Sequence, residues 1–223
     1  MEGTLNIIID KIKLKEPLAG LLHMVGAVLS IPALVILIVI GRNSAWKVVS
    51  FSVYGASMFI LFLFGTLYHW LPLSAGGRYQ IFRKLDHIAI YFLIAGTYTP
   101  FCLNTLRGPR GWTIFGLIWG MAIFGMVLQS IYIDVWRWLT TLIYILMGWL
   151  VLLVLRPLIG ALPIGGLIWL VIGGIIYTIG GVIYTVKKPD LHPKFGYHEL
   201  WHTLVLLGAA CHFIAILFYV AIK

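Results

Sequence analysis

Long apolar stretches separated by short polar segments cover most of this chain. Seven of them approach the roughly 20 residues that an α-helix needs to cross a bilayer. They lie at about 19–41, 47–70, 87–106, 112–132, 137–155, 164–186 and 199–222. The pattern therefore predicts an all-α membrane protein built as a bundle of seven transmembrane helices.

The polar segments between these spans are too short to form a separate soluble domain. We therefore predict one transmembrane domain over 19–223, preceded by a basic segment over 1–18. That segment contains Ile8 and Ile12 together with Lys11, Lys13 and Lys15, which suits either a short helix on the membrane surface or a flexible tail. The first apolar stretch is too long for a signal peptide, so we expect no cleavage.

The charged residues are few, and their distribution predicts the topology. The chain is 61% hydrophobic and 10% charged, against about a quarter charged in soluble domains. Its net charge of +9 does not indicate nucleic-acid binding, because the basic residues are scattered between the spans. The positive-inside rule then predicts a cytoplasmic N-terminus and an external C-terminus. The larger, cytoplasmic group comprises Lys11, Lys13, Lys15, Arg78, Arg83, Lys84, Arg137, Lys187, Lys188 and Lys194, and the other comprises Arg42, Lys47, Arg107, Arg110, Arg156 and Lys223.

Four side chains with metal or acid–base chemistry fall at the cytoplasmic ends of their spans. His69 ends the second span, Asp86 begins the third, and His198 and His202 begin the seventh. Such groups are costly at membrane depth, so those that occur there are expected to have partners. A shared depth makes these four side chains candidates for one site.

This set suits a zinc ion. His198 and His202 are four residues apart and lie on one helix face, where two imidazoles can bind one ion. His69 supplies a third nitrogen, and Asp86 can deprotonate a water molecule or orient a ligand histidine. The alternative is that each histidine is an ordinary interfacial residue, but their common depth favours a metal site.

His198, Glu199 and His202 also spell H-E-x-x-H, a motif of zinc proteases. Glu199 lies about 100° around the helix from His198, and no further motif of an intramembrane protease is present. We therefore interpret Glu199 as a carboxylate that stabilises the start of its helix.

The other histidines and the two cysteines receive less weight. We assign no metal role to His87, His192 or His212, because they point away from the site or lie too far from it. His23 and Glu16 share a helix face, so they can support the site from outside or form a salt bridge with lysine. No chemistry is assigned to Cys102 and Cys211.

Glycines form a regular pattern in the sixth predicted span. They occur in pairs about seven residues apart, which places a smooth strip along one helix face. We expect this strip to pack closely against a neighbouring helix. The pairs are Gly165 and Gly166, Gly173 and Gly174, and Gly180 and Gly181.

Four segments together resemble the hemolysin III family, the bacterial branch of the progestin and adipoQ receptor (PAQR) group, related to alkaline ceramidases. They are EPLAGLLHMVGAVLS, GTLYHWLP, KLDHIAIYFLIAGTYTPF and FGYHELWHTLVLLGAACHF. The resemblance covers nearly all of the chain. It implies a seven-helix protein of the bacterial inner membrane, with zinc bound by His69, His198 and His202 and with Asp86 beside a water on the metal.

The chain departs from the family pattern at the second span. The motif there is usually S-x-x-x-H, but Gly65 occupies the serine position and Thr66 follows it. Thr66 points about 100° away, so it is a weak substitute for the serine. If that serine polarises substrate or water in relatives, this chain is less active.

Three functions follow as hypotheses. The first is a zinc hydrolase that cleaves a lipid amide or ester, with membrane lipid as its partner and no role for nucleic acid. The second is a sensor of membrane state in which zinc is structural. The third is a pore-forming cytolysin, as the family name implies, although the spans lack a continuous polar stripe. The substrate and the oligomeric state stay open.

Overall fold

The computed structural model describes residues 14–72, 77–132, 136–193 and 195–222. Within these ranges the regular structure is helical, and seven helices are long and apolar enough to cross a membrane. The predicted seven-helix fold is therefore confirmed. The predicted surface helix around Ile8 and Ile12 lies outside the described residues. The helices are α1 (Pro17–Gly41), α2 (Ala45–Trp70), α3 (Gly77–Thr105), α4 (Pro109–Ile131), α5 (Arg137–Ala161), α6 (Ile164–Val186) and α7 (Tyr197–Ala221).

Local sequence sets the start of several helices. Pro17 and Pro109 stand at the first turns of α1 and α4, where a residue without an N–H loses no helical hydrogen bond. The hydroxyl of Ser44 accepts the backbone N–H of Lys47 at 3.5 Å and caps α2. Because Ser44 caps α2 so close to the end of α1, a very short turn joins the two helices.

Helix α3 begins about three turns earlier than its apolar stretch predicts. It starts at Gly77 rather than near residue 87, so Asp86 lies well inside the helix and is only 4% exposed. Apolar periodicity marks the lipid-embedded part of a helix, whereas hydrogen bonding continues into the polar region beyond it. There Lys84 reaches across to α4 and donates to the backbone carbonyl of Ser130 at 2.6 Å.

Helix α5 is irregular in its middle, and Tyr98 of α3 stabilises the irregular turn. Its backbone is α-helical over Arg137–Trp149, 3₁₀ over Leu150–Val154 and α-helical again over Leu155–Ala161. The missing N–H and the bulky ring of Pro157 disturb the preceding turn. The Tyr98 hydroxyl accepts the Val151 N–H at 2.9 Å and donates to the Gly148 carbonyl at 2.7 Å. A side chain inserted into the helical ladder is a recognised cause of such breaks.

The helices pack in a closed order around the bundle. Helix α2 packs between α1 and α3, α4 packs on α3, α6 packs on α7, and α7 closes the bundle against α1. Helix α5 contacts α3, α4 and α6. Large side chains such as Phe51, Tyr54 and Phe62 fill the interior, while many Ile, Leu and Val side chains face outward. An apolar exterior of this kind is suited to lipid, and the chain is a multi-pass membrane protein.

The glycines of α6 serve two neighbours rather than one. The strip of Gly166, Gly173 and Gly180 is buried and faces side chains of α7, which confirms the predicted close packing. Gly181 instead faces Thr141 of α5. Because Gly174 and Gly181 lie about 100° around the helix from Gly173 and Gly180, α6 can approach both α5 and α7.

Candidate metal centre

Imidazole rings from three helices meet at one end of the bundle. The ring centroids of His69 and His202 are 4.5 Å apart, those of His198 and His202 are 4.5 Å apart, and those of His69 and His198 are 5.2 Å apart. His23 of α1 joins them, with its ring centroid 4.5 Å from that of His202. The structure therefore brings the three predicted ligands together and adds a fourth histidine.

Two overlapping sets of potential ligand atoms occur among the described residues. One consists of His23, His69 and His202, which are all buried, and the other of Glu16, His69 and His198. Within each set the ligand atoms lie within 4.8 Å of one another. The predicted trio is divided between the two sets, and His69 belongs to both.

Glu16 orients the ring of His69. The His69 Nδ1 lies 2.5 Å from the Glu16 Oε2, and a carboxylate can only accept, so Nδ1 donates the hydrogen. Nε2 is then the unprotonated nitrogen, and it is buried without a hydrogen-bond partner. A carboxylate behind a histidine whose other nitrogen is free is the usual outer support of a metal ligand.

His202 is held in a similar way. Its Nδ1 lies 2.7 Å from the Nε2 of His23, and its own Nε2 lies 3.1 Å from the Nε2 of His198. Two nitrogen ligands of a tetrahedral zinc, each about 2.0–2.1 Å from the metal, lie roughly 3.3–3.4 Å apart. If His202 donates to His23, the Nε2 atoms of His69 and His202 carry lone pairs, whereas the Nε2 of His198 lies 3.4 Å from the Glu16 Oε2, to which it can donate. The nitrogen donors suit zinc, and the distance between His198 and His202 is close to that of two of its ligands, but the three predicted ligands do not form one set of mutually close atoms.

The charge of Glu16 is maintained by its neighbours. Partial burial raises the pKa of Glu16, but hydrogen bonds to His198 and His69, and the charge of these rings when protonated, lower it more. The pKa therefore lies well below its usual range. Lys15 adds an ion pair at 3.1 Å. Glu16 thus contacts both His69 and Lys15, the partners that its two predicted alternatives require.

Gly65 provides the space that the His23 ring occupies. A Cβ built on Gly65 would overlap the ring of His23. The side chain of a serine at this position and the His23 ring cannot share that space. The hydroxyl of Thr66, predicted to be a weak substitute for the serine, donates to the Phe62 carbonyl of its own helix at 2.8 Å. The sequence predicts only a supporting role for His23. The unusual glycine at position 65 was the signal that a neighbouring ring occupies this space.

Asp86 lies near the histidines but in neither ligand set. Its carboxylate is buried, and its Oδ2 is 3.8 Å from the Nδ1 of His87. His87 in turn is bonded to the Arg83 carbonyl at 2.6 Å, in keeping with its predicted lack of a metal role. Asp86 lines a cavity that His23 and His202 also line. It can therefore act on a molecule in this cavity.

The predicted role of Glu199 is confirmed. Its Oε2 accepts the backbone N–H of Gly196 at 3.0 Å, just before α7 begins. A carboxylate in this position satisfies a free N–H group and interacts favourably with the helix dipole. The H-E-x-x-H motif therefore combines two potential ligands with a capping residue.

A long cavity extends from the histidines into the bundle. It has a volume of about 220 Å³ and lies mainly between α3, α5, α6 and α7. On α3 its walls run from Asp86 to Cys102, a distance of roughly 24 Å at 1.5 Å per residue. Beyond the histidines the walls are mostly apolar, with Leu93, Val151 and Leu167 among the lining side chains. The shape fits an acyl chain whose polar end lies beside the imidazoles.

Comparison with known proteins agrees with the resemblance in the sequence motifs. The family described as Haemolysin-III related matches residues 12–213. The chain is 44% identical over 209 residues to Hemolysin-3 of Bacillus cereus, covering 92% of both chains. It is 41% identical to a Hemolysin-3 homolog of Bacillus subtilis (strain 168), covering 92% of this chain and 95% of the relative.

A human protein, Monocyte to macrophage differentiation factor, is 30% identical over 195 residues, covering 85% of this chain and 79% of the relative. The similarity to this PAQR-type protein therefore extends over most of the bundle. The chain belongs to the Haemolysin-III related family.

Proposed function

We propose that this protein binds zinc through His69, His198 and His202 and hydrolyses an amide or ester bond of a membrane lipid. The observation that carries the proposal is the cavity, which joins the imidazole cluster to an apolar interior of acyl-chain dimensions. Half of a 30 Å hydrocarbon core is about 15 Å, and the α3 wall of the cavity is longer than this, at roughly 24 Å. The proposed ion would lie where the polar end of an acyl chain in this cavity stops.

The donor set supports zinc over other common ions. Ca²⁺ and Mg²⁺ prefer oxygen ligands, whereas neutral imidazoles are typical ligands of zinc. Three protein ligands leave a coordination position open, which is characteristic of catalytic rather than structural zinc. When bound, zinc supplies Lewis acidity towards a carbonyl oxygen and towards water.

The residues of the chain then have separate roles. Glu16 and His23 hold the rings of His69 and His202 in place through their Nδ1 atoms. Asp86 is the general base and takes a proton from water at its carboxylate, which faces the cavity. The apolar walls hold the acyl chain and keep bulk water from it. The proposed topology places this end of the bundle on the cytoplasmic side.

A structural role for zinc is the second candidate. The cluster connects α1 through Glu16 and His23, α2 through His69, and α7 through His202. An ion there would link three helices and make the bundle sensitive to zinc, as a membrane-state sensor requires. A pore receives less support, because the apolar walls of the cavity do not favour a continuous path for water.

The experiment compares zinc content and turnover in one purified protein. Asp86→Asn is expected to retain zinc and to lose hydrolysis of lipids with an amide-linked or ester-linked acyl chain. Asp190→Asn is the control. Asp190 lies in the loop before α7, and its Oδ1 accepts the backbone N–H of Tyr197. Hydrolysis by Asp86→Asn at the wild-type rate would contradict the assignment of the base. Zinc-loaded wild type without turnover would favour the structural candidate.

A further inference from the structure

The cavity contains a second polar position far from the histidine cluster. His212 of α7 and Tyr177 of α6 both line it, and their ring centroids are 5.3 Å apart. His212 follows His202 by ten residues, which corresponds to about 15 Å along the helix. Polar side chains at such a depth in the membrane require partners, so their presence in the cavity wall needs an explanation.

Two glycines hold these rings in place. A Cβ on Gly173 of α6 would lie 2.6 Å from the ring of His212, and a Cβ on Gly208 of α7 would lie 2.7 Å from the ring of Tyr177. Each helix therefore has a notch that admits the ring from the other. The reciprocal arrangement fixes both rings at the interface that forms this part of the cavity wall.

The hydrogen-bonding capacity of the two rings is incompletely used. The Nε2 of His212 is 3.4 Å from the Leu170 carbonyl, which makes Nε2 the protonated nitrogen. Its Nδ1 is therefore an acceptor, and it is buried without a partner. Among the described residues, no hydrogen bond is made by the Tyr177 hydroxyl. Buried polar atoms in native proteins are nearly always paired, so a partner from outside the chain is expected for the Nδ1 of His212.

The nearby hydroxyl groups in the cavity wall are already donors to the backbone. Thr97 bonds to the Leu93 carbonyl, Thr178 to the Gly174 carbonyl, and Tyr98 to the backbone of α5. His212 and Tyr177 differ from them in having an acceptor and a donor to spare. The pair defines what we name the mid-cavity polar site.

We propose that the mid-cavity polar site binds a hydroxyl group in the middle of a long acyl chain. The inference rests on the proposed function in one respect, that the cavity holds the chain of a lipid. A hydroxyl group can donate to the Nδ1 of His212 and accept from the hydroxyl of Tyr177 at the same time. A keto group can only accept, and an unsubstituted chain leaves both polar atoms unpaired.

The test compares two fatty acids of equal length, one unsubstituted and one with a hydroxyl group near the middle of its chain. Binding of each to the purified full-length protein is measured by displacement of a fluorescent fatty acid. Wild type is expected to prefer the hydroxylated acid by roughly three- to tenfold for each of the two hydrogen bonds. His212→Phe and Tyr177→Phe keep a ring in each notch, and each is expected to lose one of these factors, whereas the double variant is expected to show a preference near unity.

Tyr144→Phe is the matched control. Tyr144 lines the same cavity, but its hydroxyl donates to the His87 carbonyl at 3.2 Å, near the histidine end. It should keep the wild-type preference. Each result is a ratio of two affinities in one sample, so a partly unfolded fraction lowers both affinities equally and leaves the ratio unchanged.

Equal affinity of wild type for the two acids would overturn the mid-cavity polar site while leaving lipid binding intact. A wild-type preference that persists in both His212→Phe and Tyr177→Phe would also overturn it. If neither acid bound to wild type, both this inference and the lipid-binding part of the proposed function would fail.

Discussion

Replacement of Gly65 by alanine tests how the histidine cluster is supported. Gly65 lies in α2, and the added Cβ would overlap the ring of His23 from α1. The ring must therefore move, and it then loses its 2.7 Å hydrogen bond to the Nδ1 of His202. The substitution changes no proposed metal ligand, so any effect on zinc has to pass through His23.

The expected loss of zinc affinity is about 10- to 100-fold, the typical effect of removing the outer partner of a metal-binding histidine. Overpacking between α1 and α2 should also cost about 1–3 kcal/mol of stability. The better helix propensity of alanine offsets about 1 kcal/mol of that cost. Zinc affinity should therefore respond more clearly than the thermal unfolding temperature.

The assay is a zinc titration against a competing chelator in detergent solution. Gly116→Ala is the control, because a Cβ there has open space around it. The double variant Gly65→Ala with His23→Ala has room for the new Cβ and should bind zinc as His23→Ala does. The reasoning is refuted if Gly65→Ala binds zinc as wild type does, or if the two substitutions weaken binding independently.

Three further predictions concern the same structure. Glu16→Ala should weaken zinc binding about 10- to 100-fold. Lys15→Ala removes the ion pair to Glu16 and should reduce the free energy of zinc binding by only about 0–1 kcal/mol. Equal effects of the two variants in the chelator titration would contradict this difference. Tyr98→Phe removes the hydrogen bonds that hold the irregular turn of α5, so it should lower stability by about 1–3 kcal/mol and speed hydrogen exchange at Val151, and unchanged exchange there would exclude the support role. Zinc affinity should fall as the pH is lowered, because imidazoles bind metal only when neutral; a flat profile in the same titration would argue against histidine ligands.

The helices and the main histidines could be predicted because each depends on a simple physical signal. Apolar length identifies membrane spans regardless of how they pack. The four-residue spacing places His198 and His202 on one helix face, and the charges of the loops place His69 at the same end of the bundle. These signals are local in sequence or concern only one coordinate, the depth in the membrane.

The support of the site could not be predicted in this way, because it depends on how two helix faces meet. The position of His23 beside His202 follows from the space above Gly65, which only the packing of α1 on α2 reveals. The depth of Asp86 inside α3 was also missed, because hydropathy does not detect the polar start of a helix. The cavity arises from the packing of several helices. The apolar stretch 137–155 ends before Pro157, but α5 continues for another turn beyond this proline.

The central claim is that imidazoles from α2 and α7 bind one metal ion. The most direct measurement is the zinc content, by elemental analysis, of purified wild type and of His69→Ala, His198→Ala and His202→Ala, with His192→Ala as the control from the loop before α7. The account predicts one zinc per chain in wild type and in His192→Ala, and loss of most zinc in each of the other three variants. Zinc retained at the wild-type level in His69→Ala and His202→Ala, or no zinc in the wild type, would contradict it.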